Sequence, residues 1–414
     1  MKKIFLLAVF ILILTPLLWA ESVLTLDDCQ ERAFKANSNL LQSRLDVDKT
    51  GLTVKQRYSD LYPSVSGRLS TNASWSEKSG VKVDNNGYTL SGTVNQNIYY
   101  PGLFSALKAA KFSEEIAGLN LREAMQVLKA SVINLYFSIL ASNELIAVYG
   151  ENIRFAEENL KRVRIMYELG SRTESDLLKI EVQKGQFETQ LLTEEQRNSS
   201  LRRQLNILMG QNPMEAFVLQ PIKPAVSELP DIETARKHMI DNNPSLLTLK
   251  KQIEIQKINI KIRQESYFPT VSGNYTYSYS DDDAGKLTSN SVGLSASIQL
   301  FNGFNRSTEK QKADIDLKRL ELQQESLIRD NLSTLEGLYQ TLETYRKMEK
   351  IHEISLRSAQ RDYDLVSRQL EIGSGTILDQ LDAQLSVLSS ESRLVETRYN
   401  TKITEAQINQ LLGM

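Results

Sequence analysis

Apolar residues recur at helical spacing along two long stretches of the chain that contain no proline. In the first stretch they step by four and three residues through Leu121, Met125, Leu128, Val132, Leu135 and Ile139. The matching series in the second half is Ile328, Leu332, Leu335, Tyr339 and Leu342. This is the heptad spacing of coiled-coil seams, and the core of an ordinary helical bundle shows it as well. The pattern predicts long helices at 103–168 and 304–371, each on the order of 100 Å in length, and shorter ones near 25–60 and 173–209.

Four stretches of the chain alternate between apolar and polar residues with a period of two, which predicts β-strands. The strands are expected at about 64–75, 88–98, 270–280 and 290–300, with polar loops at 77–87 and 281–289. Such alternation is the weak signature of outer-membrane barrel strands, although a soluble sheet that packs one face on a core also shows it. The predicted helices run away from the strands and leave that face uncovered, so lipid is its natural cover.

Aromatic residues cluster where the predicted strands meet the predicted helices. The residues are Tyr62, Tyr99, Tyr100, Phe104, Phe268, Phe301 and Phe304. Tyrosine and other aromatic side chains are enriched at the membrane–water interface. The cluster therefore favours a membrane location for the strands.

A tight bend follows each of the two long helices. Gly170 and Gly373 supply the left-handed residue that ends a helix at the least cost. Thr173-x-x-Asp176 and Thr376-x-x-Asp379 are capping boxes, which start the next helix. We expect both bends to be the tips of helical hairpins.

The whole pattern occurs twice, with matching pieces about 200 residues apart. Tyr62-Pro63-Ser64-Val65-Ser66-Gly67 matches Phe268-Pro269-Thr270-Val271-Ser272-Gly273. The bends match each other, and both halves close on Leu-(Met/Leu)-Gly. Each repeat reads helix, strand, loop, strand, long helix, tip and return helix. The sequence therefore predicts a tandem duplication whose halves fold alike.

The boundaries of the repeats follow from the composition of the N-terminus and from a cluster of prolines between the two halves of the chain. Two lysines precede an unbroken apolar run that ends in Leu18-Trp19-Ala20, which predicts a signal peptide at 1–20. An uncleaved inner-membrane anchor is the alternative. The first structural repeat then covers 21–212, a proline-rich linker 213–230 and the second repeat 231–414.

Charge and reactive side chains exclude several classes of function. The formal net charge of −2 is too small to indicate a nucleic-acid partner. His238 and His352 lie far apart and lack a ligand set, so no metal, no cofactor and no histidine-based catalysis is expected. No nucleophile–base pair or phosphate loop is recognisable, which argues against an enzyme. The single cysteine, Cys29, excludes an intrachain disulfide and is expected on the buried face of the first helix.

Four strands are too few to span a membrane alone. Open sheet edges are not tolerated in lipid, and the smallest closed barrels have about eight strands. Two copies would give a barrel of about that size, whose interior side chains normally fill. The polar faces here are mostly Ser, Thr and Asn, which are too small to fill it. Three or more copies around an open lumen fit better.

The duplicated unit, the (Tyr/Phe)-Pro-x-Val-Ser-Gly strand starts, the Gly-Ser-x-Thr-x-x-Asp tips and the Leu-Gly repeat ends together resemble the TolC family of outer-membrane efflux proteins. The resemblance covers nearly the whole chain after residue 20. It implies a mainly α fold with a small β part. In that fold a homotrimer forms a twelve-stranded transmembrane β-barrel, which continues into a coiled-coil tunnel of twelve helices in the periplasm.

The same resemblance implies a function and a set of partners. The protein would be an outer-membrane channel, the exit duct of a tripartite efflux or type I secretion system. Its partners would be a periplasmic adaptor protein, an inner-membrane transporter and outer-membrane lipid. A periplasmic coiled-coil scaffold or tether without channel activity is the alternative, and heat-modifiable trimers in outer-membrane fractions would separate the two.

Two sets of site residues follow from the resemblance. The adaptor-docking tips are Gly170, Ser171, Thr173, Gly373, Ser374 and Thr376. The periplasmic gate and selectivity residues are Asp176, Asp379, Asp382, Tyr167 and Arg172. Asp379 and Asp382 match aspartates that line the closed entrance in the best-known member of the family.

This sequence departs from the family pattern at the gate. The second-repeat tyrosine and arginine that hold the entrance shut are replaced by Leu370 and Gly375. Tyr167 and Arg172 occupy the equivalent first-repeat positions. The closing contacts are therefore expected to be rebuilt from these two residues.

Overall fold

The computed structural model describes residues 23–78, 80–222, 229–283 and 285–414. The predicted signal peptide at 1–20 and part of the proline-rich linker lie outside the described residues. In chain order the elements are β1 (Val23–Leu24), α1 (Leu26–Ala36), α2 (Ser38–Ser59), β2 (Ser64–Lys78), β3 (Val81–Tyr99), α3 (Leu103–Glu168), α4 (Glu174–Leu208), β4 (Val218–Leu219), α5 (Ile232–Asn242), α6 (Pro244–Glu265), β5 (Thr270–Asp282), β6 (Gly285–Ser297), α7 (Asn305–Glu371) and α8 (Ile377–Leu412).

The chain forms two compact units, and each takes segments from both sequence repeats. The first, called the tip unit here, comprises the described parts of Met1–Lys35, Val132–Ala225 and Leu356–Tyr399. The second, called the sheet unit, comprises the described parts of Ala36–Ser131, Val226–Ser355 and Asn400–Met414.

The two longest helices, α3 and α7, contain 66 and 67 residues and coincide with the helices that the heptad spacing predicts. Within the predicted seam of α3, Val132 and Ile139 are fully buried, whereas Met125 is about one third exposed. An 18-residue stretch of α3 has a mean hydropathy of 1.4, which is apolar enough to cross a membrane, but half of it is buried inside the protein. A buried core helix has the same composition, and the burial of the seam favours that role.

The predicted helix near 25–60 is wrong as a single element, because the chain breaks it into α1 and α2 at Asn37. Asn37 leaves the helical conformation (φ −64°, ψ 121°), and its side chain accepts hydrogen bonds from the backbone N–H groups of Asn39 and Leu40. A side-chain cap of this kind satisfies N–H groups that a helix start leaves unpaired. Asn243 does the same for α6, with Pro244 in the first turn.

Four strands form one antiparallel sheet in the order β2-β3-β5-β6. The central pair joins the two repeats, with Leu90 opposite Tyr279 and Val94 opposite Tyr275. The loops predicted at 77–87 and 281–289 are wrong, because both hairpins continue through most of these residues as paired strands. Solvent can hydrogen-bond the polar side chains of an exposed strand, so polarity alone does not end a strand.

The apolar face of the sheet has no cover in the described chain. Val65, Val292 and Leu294 are 77%, 85% and 74% exposed. Exposed apolar area of this extent marks contact with lipid or with another protein. The observation agrees with the reasoning that no segment remains to cover the strands.

The sheet unit holds the C-terminal end of α8 with three hydrogen bonds. The Arg122 guanidinium donates to Gly413 O at 2.9 Å, and the Asn243 amide donates to Leu411 O at 2.9 Å. A His238 ring nitrogen lies 3.0 Å from Leu412 O. These groups satisfy carbonyls that a helix end leaves unpaired. The sheet unit also contains an apolar cluster that includes the fully buried Leu335 and Leu412.

In the tip unit, Cys29 lies on the buried face of α1, as expected. It is fully buried, and burial raises the pKa of its thiol to about 11. Beside the two-stranded β1–β4 pair, the buried Tyr136 hydroxyl donates to Gln220 O at 2.7 Å. Cys29 is therefore a core residue with little thiolate character.

Candidate functional site at the hairpin tips

The first tip joins α3 to α4 through a bend at Gly170. Gly170 adopts φ +73°, a left-handed conformation that favours glycine. The backbone N–H and the hydroxyl of Ser171 both donate to Met166 O, at 2.9 and 2.8 Å. The predicted capping box forms: the Asp176 N–H donates to Thr173 Oγ1, and the Thr173 hydroxyl donates to Asp176 Oδ2 at 2.8 Å.

The second tip joins α7 to α8 and repeats this chemistry around Gly373, which has φ +79°. The Thr376 hydroxyl donates to Asp379 Oδ2 at 2.6 Å, and the Asp379 N–H donates back to Thr376 Oγ1 at 3.2 Å. The Ser374 and Gly375 N–H groups both donate to Gln369 O, at 2.9 and 3.0 Å.

Gly375 explains why this second bend can close so tightly. A Cβ atom at Gly375 would lie 3.0 Å from Leu370 N and 3.2 Å from the carbonyl carbon of Gln369. Such contacts are shorter than ordinary van der Waals separations, so a side chain here would require the neighbouring backbone to shift by a few tenths of an ångström. Arg172 stands at the matching position of the first bend. Glycine at this position therefore suits the close approach of the backbone in the second bend.

The capping aspartates keep their charge while they cap. Hydrogen bonds from the side chain and backbone of Thr376 lower the pKa of Asp379. Partial burial opposes ionisation of Asp176, but the hydrogen bonds from Thr173 outweigh it, so the pKa of Asp176 is also lowered. Arg172 adds to this effect on Asp176. Both side chains are carboxylates at neutral pH, so capping does not remove their charge.

The two tips pack against each other through an apolar cluster, called the tip cluster here. Its buried members are Val163, Ile180, Leu370, Ile377 and Leu381. Leu370 stands where the family pattern has a tyrosine, and here it is buried in this cluster. An ion pair between Arg162 and Glu371, with an N–O distance of 3.8 Å, also links the tips. Sequence reasoning missed both features, because they depend on which helices meet.

The predicted gate residues lie around this cluster without forming one connected network. Asp379 and Asp382 are exposed and lie three residues apart on one face of α8. Arg172 is half-buried and lines a small cleft between the tips together with Arg162, Glu371 and Gln380. In the part of the chain that the structure describes, the Tyr167 hydroxyl has no hydrogen-bond partner, and its side chain is exposed.

A layer of buried amide side chains lies next to the tip cluster. Its members, each more than nine-tenths buried, are Asn152, Asn159, Gln183, Gln380 and Gln384. Along the helices most of the layer lies between the tip cluster and a second apolar cluster, which contains Phe187 and Leu388, while Gln380 lies within the span of the first cluster and Asn152 within that of the second. Gln384 donates to Asn152 Oδ1 at 3.4 Å, and Gln380 donates to Ser367 Oγ at 3.1 Å. Among the described residues, Gln183 Nε2 and Gln384 Oε1 are buried without a hydrogen-bond partner.

Farther along α8, Glu391 faces other acidic side chains in the tip unit. Burial raises its pKa, and the charges of Glu144 and Glu151 raise it further. A carboxyl group whose pKa is higher in the folded chain than in the unfolded chain binds more protons when folded. It therefore destabilises the fold at pH values above that raised pKa, and the penalty disappears as the pH falls to the ordinary range of glutamate.

We expect Glu391→Gln to raise the Tm at pH 7, because the variant removes a half-buried charge that its acidic neighbours repel. The difference from the wild type should vanish near pH 4, where glutamate is largely protonated. Thermal unfolding followed by circular dichroism across this pH range measures both values. Glu396→Gln, which alters an exposed residue of the same helix, is the control. An unchanged Tm at pH 7 would contradict the expectation.

Comparison with known proteins covers nearly the whole chain. The family model described as "Outer membrane efflux protein" matches residues 30–211 and 236–414. Outer membrane protein TolC of Escherichia coli (strain K12) is 21% identical over 405 residues, which span 92% of this chain and 81% of that protein. Alkaline protease secretion protein AprF of Pseudomonas aeruginosa is 18% identical, over 80% of this chain and 70% of that protein. A crystal structure of CusC superposes with a TM-score of 0.84 at 15% identity and covers 94% of this chain and 91% of that chain.

Proposed function

We infer that this chain, which belongs to the outer membrane efflux protein family, is the outer-membrane exit duct of an efflux or type I secretion system. The observation that carries this function is the family match over both halves of the chain. The relatives named above include an outer membrane protein and a secretion protein, and no enzymatic activity is proposed. The uncovered apolar face of the sheet supports a location in the outer membrane.

We propose that three copies of the chain assemble into the complete channel. The four-stranded sheet ends in β2 and β6, whose outer edges pair with no other strand of the described chain. Unpaired backbone groups are too costly in lipid, so the edges of neighbouring copies would pair and close a twelve-stranded barrel. The long helices of the three copies would form a tunnel of twelve helices in the periplasm.

Native mass spectrometry of the detergent-extracted protein tests this assembly. We expect a homotrimer that persists in outer-membrane fractions and shifts its electrophoretic mobility on heating. A protein that is only monomeric in detergent would contradict the trimer. A protein found only in the soluble periplasmic fraction would instead support the scaffold alternative, because a scaffold does not require lipid to cover the sheet.

The tips are the proposed docking surface for a periplasmic adaptor, which would connect the duct to an inner-membrane transporter. The docking residues are Gly170, Ser171, Thr173, Gly373, Ser374 and Thr376. Each bend is closed by its own hydrogen bonds and needs no partner to form. Leu169 and Ile372, just before the two glycines, are 77% and 80% exposed. A rigid bend with an exposed aliphatic side chain is well suited to packing against a partner helix.

The proposed gate lies beside these docking residues. In a trimer, Asp379 and Asp382 would present six carboxylates to a narrow aqueous throat, and such a ring favours cations. Asp176, Tyr167 and Arg172 would complete the gate. Within one copy, Arg172 already lies in the cleft between the tips. Tyr167 has no partner there, so its contact would come from a neighbouring copy.

A further inference from the structure

The two tips carry different charge although they fold alike. Matched spans of the two repeats, 161–181 and 364–384, each centre on a tip. The first contains five basic and four acidic side chains, whereas the second contains one basic and four acidic side chains. Their formal charges are therefore +1 and −3. The duplication has conserved the shape of the bend within this chain but not its electrostatics.

The difference includes a reversal of sign at matched, exposed positions. Lys161 corresponds to Asp364, and Lys179 corresponds to Asp382. All four side chains are exposed, and among the described residues none of them forms an ion pair. Their charges are therefore available to a molecule that approaches the tips. Arg172 and Gly375 add a further difference of one charge at the bends themselves.

Both tips present an exposed aliphatic side chain at the same position of the bend. Leu169 and Ile372 are matched residues, and both are strongly exposed. A Cβ atom added at either neighbouring glycine, Gly170 or Gly373, would meet no atom within 4 Å, so the surface around each bend is open. A partner that packs an aliphatic side chain on a tip would find similar shapes on both and could distinguish them by charge.

We propose that the two tips are charge-distinct docking surfaces that bind different segments of an adaptor. The segment that docks on the first tip carries acidic side chains beside its aliphatic contact, and the segment on the second tip carries basic ones. This proposal rests on the proposed docking of an adaptor at the tips. Like charges brought together in the wrong arrangement repel each other, which gives orientation and specificity more than affinity. The charge difference would therefore let a partner distinguish the two duplicated tips.

Photo-crosslinking with synthetic helical hairpins tests the proposal on the full-length trimer in lipid nanodiscs. Three disulfide-closed hairpins would share one leucine-bearing tip and one photoreactive residue. Two flanking positions would hold Glu, Lys or Gln. Mass spectrometry would then identify whether each hairpin is captured on 161–181 or on 364–384. We expect the Glu hairpin to prefer the first tip by about fivefold and the Lys hairpin to prefer the second, since exposed ion pairs contribute modestly. Both preferences should fall in high salt, which screens exposed charges.

Variants that exchange the matched residues should exchange the preference. Lys161→Asp/Lys179→Asp should direct the Lys hairpin to the first tip, and Asp364→Lys should weaken its capture on the second. Lys55→Asp, an exposed lysine of α2, is the matched control and should change neither preference.

Two negative results would have different meanings. Equal capture of the Glu and Lys hairpins on both tips, or a preference that the exchange variants leave unaltered, would overturn the charge proposal. If the Gln hairpin were still captured at the tips, the proposed docking function would stand. If no hairpin were captured at either tip, the docking function and the charge proposal would both fail.

Discussion

Gly373→Trp should abolish export while it leaves trimers in the membrane. The space around Gly373 is open, so the indole would project outward and occupy the surface on which an adaptor is proposed to dock. The left-handed backbone of Gly373 adds strain for any L side chain, on the order of 1–2 kcal/mol. That cost is local, because the capping box on Thr376 starts α8 independently. Export can be measured as survival of a strain lacking its own duct in the presence of a pump substrate.

Gly80→Trp is the control for this variant. Gly80 lies in the β2–β3 turn and also has a positive φ, of +77°, with open space around it. It tests the strain of a tryptophan at such a position without altering the tips. Ile372→Glu provides a second tip variant with no change at a glycine, and it should also reduce export. Normal export by both tip variants would contradict docking at this tip, and the role of Gly373 would then be only to end α7.

Replacement of Asp379 and Asp382 by alanine should remove cation selectivity from the channel. In a trimer the substitutions would delete six carboxylates from the narrowest part of the proposed throat, and with them the site at which multivalent cations bind. Single-channel recording in planar bilayers measures the reversal potential in a salt gradient and the block by multivalent cations added on the periplasmic side. We expect the wild type to be cation-selective and blocked, and the double variant to be neither.

Single substitutions separate the selectivity role from the capping role. Asp379 accepts hydrogen bonds from the Thr376 N–H and hydroxyl. Asp379→Asn keeps an acceptor oxygen but removes the charge that strengthens these bonds, so it should lower the Tm as well as the selectivity. Its lowered pKa means that the stability contributed by its charge is present above the ordinary pKa of aspartate and is lost at lower pH. Asp382 is exposed and forms no ion pair with the residues that the structure describes, so Asp382→Asn should change selectivity alone.

Asp362→Asn is the control, since it neutralises an exposed aspartate on α7. Unchanged selectivity and block in the double alanine variant would show that the carboxylates are not at the throat. Asp379 would then be a capping residue only.

The features that the sequence predicts correctly are determined by residues that lie close together along the chain. Gly373, Thr376 and Asp379 determine a bend within seven residues, so their spacing alone predicts the tip. The sequence does not predict the helix break at Asn37, because one asparagine within a long polar stretch is a weak signal. The break becomes evident only from the structure, in which the Asn37 side chain accepts hydrogen bonds from backbone N–H groups at the start of α2. The sequence does not predict the continuation of the sheet hairpins, because clusters of polar residues between strands are also typical of loops.

The contacts between the tips could not be predicted, because they depend on which helices meet. Nothing near Leu370 in the sequence indicates that it packs with Ile180, almost two hundred residues away. The amide layer did leave a signal, since Gln380 and Gln384 interrupt the apolar stripe of Ile377, Leu381 and Leu388. Amides in such a stripe indicate a buried polar contact, but their partner Asn152 becomes evident only from the fold.

The amide layer has a consequence for the alignment of the tips. A polar residue in a helical seam specifies register at a cost in stability. If α8 moved along α3 by one heptad, either Ile377 or Glu391 would replace Gln384 opposite Asn152. An apolar side chain there would leave a buried amide without its hydrogen bond, at a cost of about 1–3 kcal/mol, and a carboxylate would add a desolvation penalty. The relative level at which the two hairpins end is thus fixed about two turns along α8 from the bend, by side chains buried inside the tip unit.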